Sequence, residues 1–207
     1  ALLIMSFGGP EGMSDVMPFL DNVLRGRNVP EERKREVAHH YELFGGVSPL
    51  NLQNRQLQAA LAAELERLGL DLPIYLGNRN WHPYVADAIA QMQRDGVKKF
   101  LTFVTSGFSC YSGCRQYRED IARALGAAGE GAPASDKIRV YYNHPLFIET
   151  TRRHWAQASQ RLPADQRAEA VTLFTAHSIP GGMAAGSDYE VQLREASRLT
   201  AEAAGIA

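Results

Sequence analysis

Short apolar runs alternate with amphipathic helical stretches along most of the chain, and this alternation limits the fold more than any other feature. A run at 73–76 precedes helical spacing at 84–94, and a run at 99–104 precedes 116–125. The same pairing recurs with 138–142 before 148–161, and with 171–174 before 189–204. Strands separated by helices join parallel sheets through right-handed crossovers, so the chain reads as α/β. An earlier apolar run at 1–7, broken by Gly8-Gly9-Pro10, supplies another strand. Helices follow it at 13–24, with Val16, Phe19, Leu20 and Val23 on one face, then at 30–44 and at 50–68. Pro30 opens the second of these at a tolerated first-turn position, with acidic Glu31 and Glu32 behind it. The Gly/Ala/Pro-rich stretch 126–135 reads as a solvent loop, and a domain boundary is expected near His144-Pro145. That gives a lobe over 1–145 and the start of a second over 146–207. The chain opens inside a strand and closes directly after a helical pattern, so it is expected to be part of a longer protein, with the second lobe incomplete.

Composition excludes several classes of function. Of 207 residues, 45% are apolar and 22% charged, which is ordinary for a globular protein and unlike a disordered one. A net charge of -1 leaves no footprint for nucleic acid. No apolar run reaches the ~20 residues needed to cross a membrane, and with no secretory leader and only two cysteines the expected location is cytoplasmic. Gly8, Gly9 and Gly12 are in the wrong register for a dinucleotide-binding turn, and Pro10 interrupts it. These glycines instead let the backbone pass close to something flat or bulky.

The run at 171–174 stops at Thr175-Ala176-His177-Ser178-Ile179-Pro180, which reads as a buried strand ending in a loop. Ligands of open α/β sheets sit outside the carboxyl ends of strands, so His177 stands where chemistry is expected. A neutral imidazole can bind a divalent ion or take a proton near neutral pH. The remaining histidines carry less: His39 and His40 lie on a charged helix, His82 and His144 precede prolines, and His154 sits in a helix beside Trp155. Cys110 and Cys114, spaced C-x3-C, are too few to hold zinc or a cluster by themselves. A thiol nucleophile with His177 as base is a further reading, and it requires the two groups within hydrogen-bond reach.

Four segments then line up in order: Ser6-Phe7-Gly8-Gly9-Pro10, Tyr41 with Phe44-Gly45-Gly46-Val47-Ser48-Pro49-Leu50, Gly77-Asn78-Arg79-Asn80-Trp81-His82-Pro83, and Thr175 through Pro180. Together with Arg25-Gly26-Arg27, 91–96 and Tyr189-Glu190-Val191-Gln192, they resemble the ferrochelatase family over essentially the whole chain. The resemblance implies two similar lobes, each a parallel four-stranded sheet flanked by helices, with a porphyrin cleft between them. It implies Fe2+ and a porphyrin as substrates, coproporphyrin III ahead of protoporphyrin IX, in haem biosynthesis. His177 would ligate the iron or accept a pyrrole proton, beside a glutamate lying beyond residue 207. Arg25 and Arg27 would meet propionates as bidentate donors, the alternative being solvated helix-end cations. Ser48 would hydrogen-bond a propionate, or cap a helix before Pro49. Asn78, Asn80 and Trp81 sit at a strand end, where the indole would pack on the macrocycle or in the core; Tyr117 and Tyr111 would serve similarly.

The family also suggests Cys114 as a [2Fe–2S] ligand, with the other ligands outside this chain, and transient contact with neighbouring haem-pathway enzymes. Glu11 departs from members with a tyrosine just after the Gly-x-Pro turn, because a carboxylate cannot replace a phenolate there. The alternative function is a non-catalytic carrier or sensor of a tetrapyrrole or metal.

Overall fold

The first apolar run becomes strand β1 (Leu2–Ser6), followed by helices α1 (Met13–Leu24), α2 (Glu31–Glu42) and α3 (Leu50–Arg67). Strand β2 (Ile74–Asn78), helix α4 (Val85–Arg94), strand β3 (Lys99–Val104), helix α5 (Gln116–Ala128) and strand β4 (Ala134–Lys137) complete the first series. The four strands form one all-parallel sheet in the order β2-β1-β3-β4. Parallel strands need crossovers, and each connection here contains at least one helix. Because β2 lies on one side of β1 while β3 and β4 lie on the other, the order reverses beside β1. Such a switch point opens a crevice at the carboxyl ends of the strands.

Period-2 and period-3.6 patterns decide the layers. Leu3, Met5, Phe100 and Val104 project from β1 and β3 into a core that also buries Ile89 and Met92 of α4 and Tyr117 and Ile121 of α5. A second cluster gathers Val16, Phe19 and Leu20 of α1 against Ala38 of α2, with Tyr41 and Trp81 packed onto it. Helix α4 ends where Gly96 takes a left-handed φ of 74°, letting Val97 N–H bond back to Met92 O at 2.9 Å.

In this computed structural model, which describes residues 1–206, two compact units are distinguishable. The first comprises Ala1–Thr105 and Tyr117–Ile138, and the second begins with Ser106–Gln116 and resumes at Arg139. The second unit holds a π-helical turn (Tyr111–Arg115) and helices α6 (Pro145–Ser159), α7 (Ala164–Arg167), α8 (Gly181–Ala185) and α9 (Tyr189–Ala204). Within it Phe147 meets Phe108 and Tyr141 edge-on, and Phe108 also meets Tyr189. None of the described helices of the chain is long and apolar enough to cross a membrane.

Two expected strands are corrected. The edge strand forms at Ala134–Lys137, not at 138–142, because its ladder with β3 runs from Lys99↔Ala134 to Thr102↔Lys137 and stops there. The stretch 126–135 is accordingly the end of α5 and the start of β4 around a shorter turn. The run 171–174 forms no strand and is not buried: Val171 is 83% exposed and Leu173 80%. A strand is stable only beside a hydrogen-bonding neighbour, and among the described residues the second unit contains none. What fixes the run instead is a side-chain bond from Trp155 Nε1 to Thr172 Oγ1 at 3.0 Å.

Burial of Tyr141 against Phe147 and Gly107 raises its phenol from 10.0 to about 12. The unfolded chain therefore releases this proton first, so the stability Tyr141 contributes is complete below pH 10 and is lost as pH rises towards 12. Chemical denaturation across that range will show a decline that Tyr141→Phe reduces; an unchanged decline in the variant refutes the assignment.

Candidate functional site

The backbone leaving β1 threads a space too narrow for side chains. A Cβ on Gly8, whose φ is 80°, would lie 2.9 Å from Asn78 Cβ, and one on Gly9 would lie 2.5 Å from Ser48 Cβ. The β1 and β2 loops are then laced together by Arg79 N–H to Ser6 O at 3.0 Å and Asn80 N–H to Phe7 O at 3.1 Å. Asn80 adds its side-chain amide to the same Phe7 carbonyl at 3.2 Å. The loop before α3 joins through Ser48 N–H to Pro10 O at 2.8 Å and Asn51 Nδ2 to Gly9 O at 2.8 Å. Three glycine- and asparagine-rich loops thus form one rigid rim at the carboxyl end of the sheet.

Several expected site residues fall on this rim. Asn78 is fully buried and donates to His82 O at 3.0 Å, while Asn80 is 8% exposed. Both hold backbone. Trp81 meets Phe19 edge-on at 6.2 Å and donates from Nε1 to Asp15 Oδ2 at 3.3 Å. Ser48 is half-buried, and its Oγ accepts from Leu50 N–H at 3.3 Å, a local turn bond ahead of α3, whose N-cap is Pro49 without a side-chain cap. Glu11 accepts from Arg55 at 2.7 Å and Asn51 at 3.2 Å, and the Arg55 bond foremost holds its carboxyl below the usual range. Arg25 and Arg27 are exposed after α1, and Arg25 Nη2 donates to Asn22 Oδ1 at 2.6 Å. Tyr117 is a core residue, 5% exposed, with the Arg79 guanidinium 5.1 Å over its ring.

His177 and the cysteines belong to the second unit. His177 is exposed, and its Nδ1 lies 2.6 Å from the Ser178 carbonyl. A carbonyl oxygen only accepts, so Nδ1 carries a proton, and in the neutral ring Nε2 then presents the lone pair. The backbone carbonyl of His177 accepts from Tyr189 Oη at 3.1 Å. A cavity of about 290 Å³ adjoins the imidazole, lined by Phe108, Phe147, Phe174, Tyr189 and Leu193 among others. Cys114 is half-buried in the π-helical turn, and buried Cys110 accepts from Gly113 N–H at 3.2 Å. Among the described residues no group of three or more His, Cys, Asp or Glu is placed to hold a metal.

Sequence reading took Tyr189 and Gln192 only as part of the family pattern and gave them no role in aiming these loops. Gln192 of α9, 7% exposed, accepts from Ser109 N–H at 2.7 Å and donates to Ser109 Oγ at 2.6 Å. Helix α9 therefore grips the Cys114 loop through Gln192 and the His177 loop through Tyr189. The clue was there: a glutamine lies four and eight residues before Ala196 and Thr200, on the buried stripe of α9.

Comparison with known proteins gives a consistent result. The family model described as Ferrochelatase matches residues 1–207. A protein of Rhodopirellula baltica named ferrochelatase is 59% identical over 205 residues, covering 99% of this chain and 58% of that protein. A coproporphyrin III ferrochelatase of Nocardia farcinica is 53% identical over 215 residues, covering 100% of this chain and 61% of that protein. One of Streptomyces coelicolor is 52% identical over 190 residues, covering 90% of this chain and 51% of that protein. The chain thus spans 51% to 61% of the length of these three relatives.

Replacing Gln192 by Leu strands the Ser109 amide and hydroxyl, at a cost of about 1–3 kcal/mol. Thermal unfolding will show the loss, and hydrogen exchange will show it as reduced protection of the Ser109 amide. Wild-type protection in Gln192→Leu contradicts the clamp.

Proposed function

The chain belongs to the ferrochelatase family, and from that premise we propose that the whole protein inserts Fe2+ into a porphyrin, coproporphyrin III in preference to protoporphyrin IX. The observation that carries the reading is the imidazole of His177: exposed, its Nδ1–H held on the Ser178 carbonyl, its Nε2 lone pair available. Histidines that bind metals use this arrangement, one nitrogen hydrogen-bonded so that the other is fixed as the ligand. The names of the Nocardia and Streptomyces relatives favour coproporphyrin III.

Insertion replaces two pyrrolic protons by one divalent ion, so the site must receive the ion and remove protons. In this reading His177 Nε2 meets the incoming Fe2+ and takes up one of the two pyrrolic protons as the ion passes to the macrocycle. The second proton leaves to the glutamate that the resemblance implies beyond residue 207. Tyr189 keeps the imidazole on target by fixing the carbonyl of the same residue. Arg25 and Arg27 serve the propionates, and the rim of Ser48, Asn78, Asn80 and Trp81, with Tyr117 behind it, shapes the porphyrin site. The lobes are read as 1–145 and 146–207, and the expected location is the cytoplasm. A [2Fe–2S] cluster would take Cys114 as its one ligand from this chain; the described residues do not build a cluster site, and no step is assigned to one.

In the full-length protein, His177→Ala will lower Fe2+ insertion by about 10²–10⁴-fold, while porphyrin fluorescence quenching reports retained binding. Tight porphyrin binding by a wild-type protein that inserts no iron would replace the chelatase reading with a carrier.

A further inference from the structure

The segment that carries His177 is held without regular structure. Among the described residues, no backbone group from Ala170 to Ile179 bonds to another backbone group. Only Thr172 and Ile179 of this segment are half-buried, and the rest are exposed. Phe174 to His177 wall the cavity of about 290 Å³ together with Phe147 of α6 and Leu193 of α9, so the middle of the segment spans a space. The two helices pack on each other and hold the segment by side chains. Trp155 Nε1 of α6 donates to Thr172 Oγ1 at 3.0 Å, and Tyr189 Oη of α9 donates to the His177 carbonyl at 3.1 Å. The segment is a strap with one tie ahead of the imidazole and one at it.

The tie at Thr172 sets how far the strap can wander. Four residues separate Thr172 from His177; without that bond the nearest bonded backbone group upstream is Glu169 N–H, with seven residues between. A longer free span visits more arrangements. Tyr189 fixes the His177 carbonyl, but a single bond lets the peptide turn about it, and the imidazole turns with the peptide. We propose that Trp155 is a positioning residue for His177: by anchoring Thr172 it holds the strap so that Nε2 faces the incoming ion. The inference rests on the function proposed above. In this role the indole touches neither the ion nor the porphyrin and acts through His177 alone. An imidazole in place for only part of the time lowers the apparent affinity for the ion by that fraction.

The test uses the full-length protein and three variants. Trp155→Phe keeps a ring and loses the donor, Thr172→Val keeps the shape and loses the acceptor, and Thr172→Ser keeps the hydroxyl. The expected result is that Trp155→Phe and Thr172→Val each lower kcat/KM for Fe2+ about three- to tenfold, the range of one neutral hydrogen bond. The KM for coproporphyrin III stays unchanged, and Thr172→Ser keeps wild-type rates. Trp155→Phe combined with Thr172→Val is no slower than either alone, because both remove the same bond. The nitrogen NMR spectrum of His177 is a second readout that needs no iron. The wild type shows the Nδ1–H form, and Trp155→Phe moves it towards the tautomer mixture of a free imidazole. If the wild type inserts no iron, the proposed function fails, and the His177 spectrum still decides the anchor. Variants that lose thermal stability while kcat/KM for Fe2+ and the His177 spectrum keep their wild-type values overturn the proposal, as do losses that add in the double variant.

Discussion

The first unit depends on the burial of one strand. Strand β1 has a hydrogen-bonded neighbour on each edge, and Leu3, Ile4, Met5 and Ser6 have no exposed surface. Fully burying each of the three apolar side chains contributes roughly 1.5–3 kcal/mol. Its register with β2 and β3 also fixes where both of those strands end. The chain must leave β1 through whatever space its neighbours allow, and that space admits no side chain at positions 8 and 9. The glycines of the rim follow from the central strand; they are the only residues that can exit it there.

Polar side chains hold what the glycines leave loose. Loops packed this tightly bury backbone groups, and buried backbone groups require partners. Asn51, Asn80 and Asn22 answer that demand with amides, and Asp15 receives both Glu11 N–H and the Trp81 indole. These residues explain how a rim without regular structure keeps its shape. They also separate two kinds of polar residue near the candidate site, those satisfied by the protein and those facing outward. Arg27 is of the second kind, while Arg25 and His177 face outward with one bond each to the protein, to Asn22 Oδ1 and to the Ser178 carbonyl.

Much of the fold was legible because its signals are local. Apolar alternation located β1 and β3, and the apolar stripes located α1, α4 and α9, since period and caps act over a few residues. Where pairing decides, local signals fail. The run 171–174 has the composition of a strand and lies exposed for want of a neighbour, while the polar segment Ala134–Lys137 pairs because β3 offers it an edge. The site divides similarly. His177 could be picked out from a strand-like run ending in a polar pair, but Tyr189 and Gln192 bond to residues 12 and 83 positions away. Only the folded chain shows whom they serve.

The bond pair between Ser109 and Gln192 has a consequence for how this chain can change over generations. Each residue is both donor and acceptor to the other, across 83 positions of sequence. Losing Gln192 strands both the half-buried Ser109 amide and its hydroxyl. Replacing Ser109 keeps its backbone N–H on Gln192 Oε1 and strands only the buried Gln192 amide nitrogen, so either change alone lowers stability. Two compensating changes together would escape that loss, but the path between them crosses a less stable intermediate. The two positions therefore behave as one inherited unit, and the loop that carries Cys114 is tied to the history of the helix that steadies His177.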